Sequence, residues 1–177
     1  DGRIVRFSND GQSPENIANT GGRPLGLDFD NDGNLIIADA DRGLLSLSPE
    51  GVLSTLTTGT DSHQLVFTDD VDVAPDGRIY FSDASYKYNR HHLMNDIIEH
   101  RPNGLLLRYN PESKTTEILM RDLHFANGIA VSSDNTFVLI AETTAYRIHK
   151  YWLLPEHQPS HEVIIDNLPG MPDGISA

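Results

Sequence analysis

The stretch GLDFDNDGNLIIAD, residues 26–39, presents a choice between a calcium loop and a β-hairpin. Asp28, Asp30, Asp32 and Asp39 have the spacing of acids in an EF-hand loop, with Gly33 at its turn. An EF-hand needs a helix on each side of the loop. However, the leading segment NTGGRPLGL is rich in glycine, and the run LIIA near the end of the stretch is typical of a strand. The flanks therefore predict a β-hairpin with a turn that tolerates positive φ.

The hairpin pattern recurs along the chain, whereas the acids of the calcium loop do not. Further copies are DVDVAPDGRIYFSD from Asp70 and GIAVSSDNTFVLIAE from Gly128, and a fourth begins at Gly174. A third and a fourth strand are predicted after each complete hairpin. Four short strands in each unit of roughly 40 to 50 residues predict the blade of a β-propeller.

The repeat divides the chain into half a unit, three full units and the start of another. The units are residues 1–22, 23–66, 67–124, 125–170 and 171–177. An insertion at 86–102 carries apolar residues at helical spacing, and its stretch near 91–99 is the only one expected to be helical. The fold is therefore predicted to be all-β, with four-stranded antiparallel blades. Residues expected to pack between blades are Leu27, Phe29, Ile36, Val71, Val73, Tyr80, Ile129, Val131, Val138 and Ile140.

Composition limits the classes of function. The chain has 177 residues, a net charge of −13 and no cysteine, which argues against a nucleic-acid partner and excludes thiolate chemistry. No apolar run approaches the roughly 20 residues of a membrane span. No signal peptide opens the sequence, so a soluble protein of undetermined compartment is expected. The acidity favours a bound cation, although a solvated acidic surface explains it equally well.

Propellers close with typically four to eight blades. A ring that stops after about four blades would expose strand edges. The sequence is therefore expected to be part of a longer ring, and the remainder of the propeller is needed for closure. Closure by a partner chain is the alternative.

One position in each unit is a candidate for ligand binding. The first strand of each blade lines the channel of a propeller, so the residues directly before the repeat starts are expected to converge. These residues are Leu25, Asp69, Asn127 and Asp173. Three of the four carry side-chain oxygens, which suit Ca²⁺ or another divalent cation. The alternative is that they cap strand ends or form Asx-turns.

Several motifs carry a family resemblance. FANGIAVSSDNTFVLIAETTAYRIHKYWL, NGLLLRYNPESKTTEIL, GRPLGLDFD and DNLPGMPDGIS resemble strictosidine synthase-like proteins and, more distantly, the gluconolactonase, regucalcin and paraoxonase group. The resemblance implies a six-bladed propeller, of which this chain spans late blade one to the start of blade five. We number the blades accordingly.

The resemblance also implies a metal centre. In the hydrolase branch a divalent ion is held by Glu from blade one and by Asn or Asp from blades three, four and five. Asn127 and Asp173 fall on matching motif positions, and Asp69 stands where Asn is usual. Leu25 falls on blade two, which supplies no ligand. The blade-one Glu has no counterpart here and would precede Asp1.

The function expected from these features is divalent-metal-dependent hydrolysis of a small lactone or ester, with Asp173 both a metal ligand and a catalytic residue. His124, three residues before Asn127, is a candidate general base, although such residues more often fill strand-end pockets. One alternative is a non-catalytic propeller that acts as a binding scaffold. A more remote alternative is strictosidine synthase-type condensation, whose catalytic Glu would lie beyond Ala177.

Other polar residues receive structural or peripheral roles. The acids that close each second strand, Asp39, Asp83 and Glu142, recur in every blade and are expected to accept backbone N–H bonds. Asp70 is a rival to Asp69 as a ligand. The insertion places His91, His92 and His100 where they would line a lid.

Overall fold

A computed structural model describes residues 1–157 and 160–176 of the chain, which form a series of antiparallel sheets. Blade one contributes a two-stranded hairpin, β1 (Arg3–Arg6) and β2 (Glu15–Asn19). Blade two consists of β3 (Pro24–Phe29), β4 (Leu35–Asp39), β5 (Gly43–Leu47) and β6 (Leu53–Thr57). Blade three consists of β7 (Thr68–Val73), β8 (Ile79–Asp83), β9 (Gly104–Asn110) and β10 (Thr115–Leu123). Blade four consists of β11 (Ala126–Val131), β12 (Phe137–Glu142), β13 (Arg147–Trp152) and β14 (His161–Ile165).

The order of strands within each sheet is the order of the sequence, as in a propeller blade. The first strands of neighbouring blades contact one another, β3 against β7 and β7 against β11. They contain the repeat starts at Gly26, Asp70 and Gly128, which confirms the repeat. Residues 171–176, which carry the fourth start, form no assigned strand.

The stretch at 26–39 is a hairpin of β3 and β4, as its flanks predict. The Asp30 carboxylate accepts the amide N–H groups of Asp32 and Asn34 at 3.0 and 2.8 Å, and Gly33 takes a positive φ of 81°. Asp28 turns to the next blade, where its Oδ2 accepts the Val73 N–H at 2.8 Å. The acids of the apparent calcium loop therefore stabilise a turn and a blade contact.

Apolar clusters fill the spaces between blades. One joins blades two and three around Ile36, Val71 and Phe81, and another joins blades three and four around Tyr80 and Leu106. The residues predicted between blades are buried or partly buried there, with two exceptions.

The prediction was wrong for Leu27 and Phe29, which are 47% and 67% exposed. The blade-one hairpin packs through Ile4 against Leu35 and Leu47 of the middle strands of blade two. It therefore leaves these two side chains of the first strand uncovered.

Carboxylates also connect the first strands of adjacent blades. Asp70 accepts the Ile129 N–H at 2.9 Å and Asp72 accepts the Val131 N–H at 2.7 Å, in the manner of Asp28 one blade earlier. Burial, together with the neighbouring Asp28 carboxyl, raises the pKa of Asp72 to about 6. These bonds satisfy amide groups that face the next blade instead of a strand partner.

The insertion forms a 3₁₀ turn (Arg90–His92) followed by α1 (Leu93–Glu99), close to the predicted helical stretch. Leu93 packs on an apolar cluster at the mouth end of the blades. The buried Asp96 accepts hydrogen bonds from Ser85 and Asn103. A second 3₁₀ turn at Thr143–Ala145 corrects the expectation that only the insertion is helical. Neither α1 nor any other helix in residues 1–157 and 160–176 is long and apolar enough to cross a membrane.

The closing acids bind the segment that leads into the first strand of their own blade. Asp39 accepts the Arg23 N–H at 2.9 Å, Asp83 the Phe67 N–H at 2.8 Å and Glu142 the His124 N–H at 2.7 Å. All three acids are fully buried. Their predicted structural role is confirmed.

Candidate metal centre

The four positions directly before the repeat starts lie around one cavity of about 270 Å³. Its lining consists of Leu25, Gly26, Asp69, Asp70, Asn127, Asp173 and Gly174. Residues separated by more than forty positions in sequence are thus brought together by the stacking of the blades. Asn127 is 7% exposed, Asp69 is half-buried and Asp173 is exposed.

A β-bulge places these side chains in each complete blade. The first strand inserts one extra residue opposite the second strand between Pro24 and Leu27 in blade two. The same shift lies between Thr68 and Val71 in blade three, and between Ala126 and Ile129 in blade four. Bulges redirect side chains at strand ends. Sequence reasoning missed the bulge, although the identical three-residue offset in every repeat carries its signal.

Hydrogen bonding separates the candidate ligands from the other acids of the first strands. Across residues 1–157 and 160–176, no hydrogen bond uses the side chains of Asp69, Asn127 or Asp173. By contrast, the rival ligand Asp70 has its Oδ2 committed to the Ile129 amide. The candidate ligands therefore keep their oxygens free for a bound group.

The electrostatics of the cavity are unfavourable for its carboxylates. Burial raises the pKa of Asp69 to about 7, and the negative charges of Asp70, Asp173 and Asp83 add to the effect. Burial likewise raises the pKa of Asp70. A cation placed among these groups would remove the repulsion and favour the charged forms.

The donor set fits a hard divalent cation but does not by itself complete its shell. Two carboxylates and one amide oxygen face the cavity, whereas Ca²⁺ takes six to eight oxygens. In the described part of the chain, no three or more His, Cys, Asp or Glu side chains are arranged to hold an ion. The Asn127 oxygen is therefore needed as the third ligand, with further oxygens from water, substrate or additional residues.

His124 does not line this cavity. Its ring lies 4.9 Å from that of His100 in the insertion, and its Nδ1 is buried without a partner among the described residues. Burial lowers the pKa of its imidazole. A general-base role for His124 stays a prediction.

Two aromatic residues that the sequence reasoning missed lie behind the candidate ligands. Phe67 and Phe125 occur two positions before Asp69 and Asn127, and their rings pack edge to face. Their equal offset from the repeat starts is a signal that the sequence does contain.

The stacked four-stranded blades and the residues converging at one end of their first strands define a β-propeller protein. The family profile described as strictosidine synthase matches residues 69–156. Strictosidine synthase-like protein 6 of Arabidopsis thaliana is 43% identical over 162 residues, which cover 91% of this chain and 43% of that protein. The chain therefore belongs among the strictosidine synthase-like proteins and spans less than half the length of this relative.

Solved structures support the fold. A gluconolactonase from Xanthomonas campestris superposes with a TM-score of 0.79 at 19% identity, covering 98% of this chain and 59% of the other. The calcium-binding protein regucalcin from Agrobacterium tumefaciens gives a TM-score of 0.72 at 19% identity, covering 99% and 56%. At these identities the likeness concerns the fold alone.

Proposed function

We propose that the protein is a divalent-metal-dependent hydrolase of small lactones or esters, with Asp69, Asn127 and Asp173 as cation ligands. The observation that carries the proposal is the convergence of three side chains, free of hydrogen bonds within the described residues, on one cavity in which burial and neighbouring charge raise the pKa of Asp69 to about 7. Two propellers of similar fold, described as a gluconolactonase and as calcium-binding, support it.

The residues of this chain contribute binding and orientation. A bound divalent ion would supply Lewis-acid polarisation of a carbonyl and activation of water. Asp69 and Asp173 provide charge, and the buried Asn127 provides an oxygen that is fixed in position. The bulge in each first strand holds these groups at the mouth of the channel, where a small molecule has access.

Asp173→Ala should reduce Ca²⁺ binding below detection and abolish hydrolysis, because it removes one of two carboxylates from the set. Asp30→Ala is the matched control, because its carboxylate serves only the hairpin turn among the described contacts. Calorimetric Ca²⁺ titration and assays with lactone and aryl-ester substrates on the full-length protein measure both effects.

The same experiment separates the alternatives. Ca²⁺ binding without turnover of any substrate would favour the non-catalytic scaffold. Retention of full Ca²⁺ affinity by the Asp173→Ala protein would remove the proposed centre.

A further inference from the structure

A buried aromatic pair lies directly behind the candidate ligands. The rings of Phe67 and Phe125 have centroids 5.6 Å apart and an interplanar angle of 86°. The two residues are 6% and 5% exposed. Because each ring lies two residues before a ligand, the pair connects the entry of β7 in blade three with the entry of β11 in blade four.

Each ring sits on backbone that is fixed within its own blade. The Phe67 N–H donates to the buried carboxylate of Asp83 at 2.8 Å. On the other side, the Phe125 carbonyl accepts the Thr143 N–H at 3.1 Å, and the preceding amide of His124 donates to Glu142 at 2.7 Å. A displacement of one ring would therefore move the start of the strand that carries the ligand.

The backbone of Phe125 supports a role beyond ordinary packing. Its φ of 57° lies in the left-handed region, which is unfavourable for a bulky side chain. Glycine would take this conformation without strain. The aromatic ring is therefore present despite the backbone cost, and the edge-to-face contact with Phe67 offsets part of it.

The pair belongs to an apolar cluster that extends across the mouth of the blades. The cluster contains Ala40 and Ala84, with Leu25 and Leu93 packed against it. Leu25 lines the candidate metal cavity, and Leu93 is the first residue of α1 in the insertion. The cluster thus joins blades two, three and four and is covered by the insertion.

We propose that Phe67 and Phe125 are positioning residues that set the separation between Asp69 and Asn127, and that Leu93 of the insertion holds them in place. The inference rests on the proposed cation site. The spacing of oxygens determines which hard cation a site prefers, since Mg²⁺ demands shorter and more regular contacts than Ca²⁺. A loosened pair should therefore change ion preference as well as affinity.

The test compares leucine substitutions in two similar aromatic pairs. Phe125→Leu and Phe67→Leu remove the edge-to-face contact and retain an apolar side chain. The matched control is Phe137→Leu, whose ring packs against Trp152 at 5.9 Å and 76° at the other end of blade four. Calorimetry on the full-length protein measures Ca²⁺ and Mg²⁺ dissociation constants, and thermal unfolding measures stability.

Phe125→Leu and Phe67→Leu should weaken Ca²⁺ binding by about tenfold and reduce the preference for Ca²⁺ over Mg²⁺. Phe137→Leu should lower the melting temperature with both dissociation constants unchanged. If the first two proteins lose stability but keep both constants within about twofold of the original, the pair only packs and the inference is overturned. Two substitutions at the pair keep the test decisive if one protein fails to fold.

Absence of Ca²⁺ binding by the unaltered protein would defeat the proposed function separately. The position of the ligands is then read from backbone amide resonances. Phe125→Leu should shift the resonances of Asp69 and Asn127, and Phe137→Leu should not. Unshifted resonances in the Phe125→Leu protein would contradict the positioning role.

Discussion

At the scale of the residue, acids of the same type differ in function because they meet different partners. Asp83 and Glu142 are buried and accept amide N–H groups, which fixes the entries of the first strands. Asp69 and Asp173 have no such bond within the described residues and face a shared cavity. Only the second kind has oxygens available to a ligand.

Glu142 is expected to contribute pH-dependent stability. Burial disfavours its charge, but bonds from His149, Arg147 and the His124 amide outweigh this and lower the pKa of Glu142 to about 2. A folded pKa below the value of 4.5 in the unfolded chain gives stability that is present above about pH 4.5 and is lost as pH falls toward 2.

Glu142→Gln should therefore lower the free energy of unfolding by about 3 kcal/mol at pH 7, with the difference shrinking below about pH 4.5. Urea unfolding at several pH values measures it. The control Glu117→Gln, at an exposed pair with Arg108, should cost under about 1 kcal/mol. A Glu142→Gln penalty that is equal at pH 3 and pH 7 would refute the linkage.

At the scale of the element, the first strand of each blade is the functional unit. It combines a bulge that presents the candidate ligand with side chains that bond the next blade. Close approach of backbones also requires glycine at one position. A Cβ at Gly128 would lie 2.3 Å from the Asp173 carbonyl oxygen and 2.6 Å from the Ile175 nitrogen.

Gly128→Ala should displace residues 173–175 from β11 and cost about 1 to 3 kcal/mol of stability through overpacking. It should also weaken Ca²⁺ binding, because Asp173 moves with its backbone. Gly174→Ala is the control, since a Cβ there meets nothing within 4 Å. Thermal unfolding and calorimetry measure the two effects, and equal behaviour of the two proteins would contradict the prediction.

At the scale of the whole molecule, the apolar clusters span blade boundaries. Leu106 is fully buried in the cluster that joins blades three and four. Neighbouring blades that share a core are expected to unfold together, because separation would expose both faces of the cluster.

Leu106→Ala should destabilise by about 2 to 5 kcal/mol and lower the midpoint of one shared transition. Circular dichroism and Trp152 fluorescence of blade four should report the same midpoint. Separate midpoints for the two signals would show that the blades unfold independently.

The sequence by itself determined the repeat, the blades and the set of positions that converge. Turn residues at Asp76–Gly77, alternating apolar residues and equal offsets in each copy are local features, and local features can be read in one dimension. They were sufficient to reject the calcium loop at 26–39 and to select Asp69, Asn127 and Asp173 as a group.

The tertiary structure alone decided which polar groups are already bonded and which apolar groups are covered. Asp70 meets Ile129 and Phe67 meets Phe125, in each case 58 or more residues away along the chain. Leu27 and Phe29 have the alternation of core residues but no neighbouring surface that buries them. Contacts of this kind depend on how blades stack, and side-chain periodicity specifies the face of a strand but not the surface that it meets.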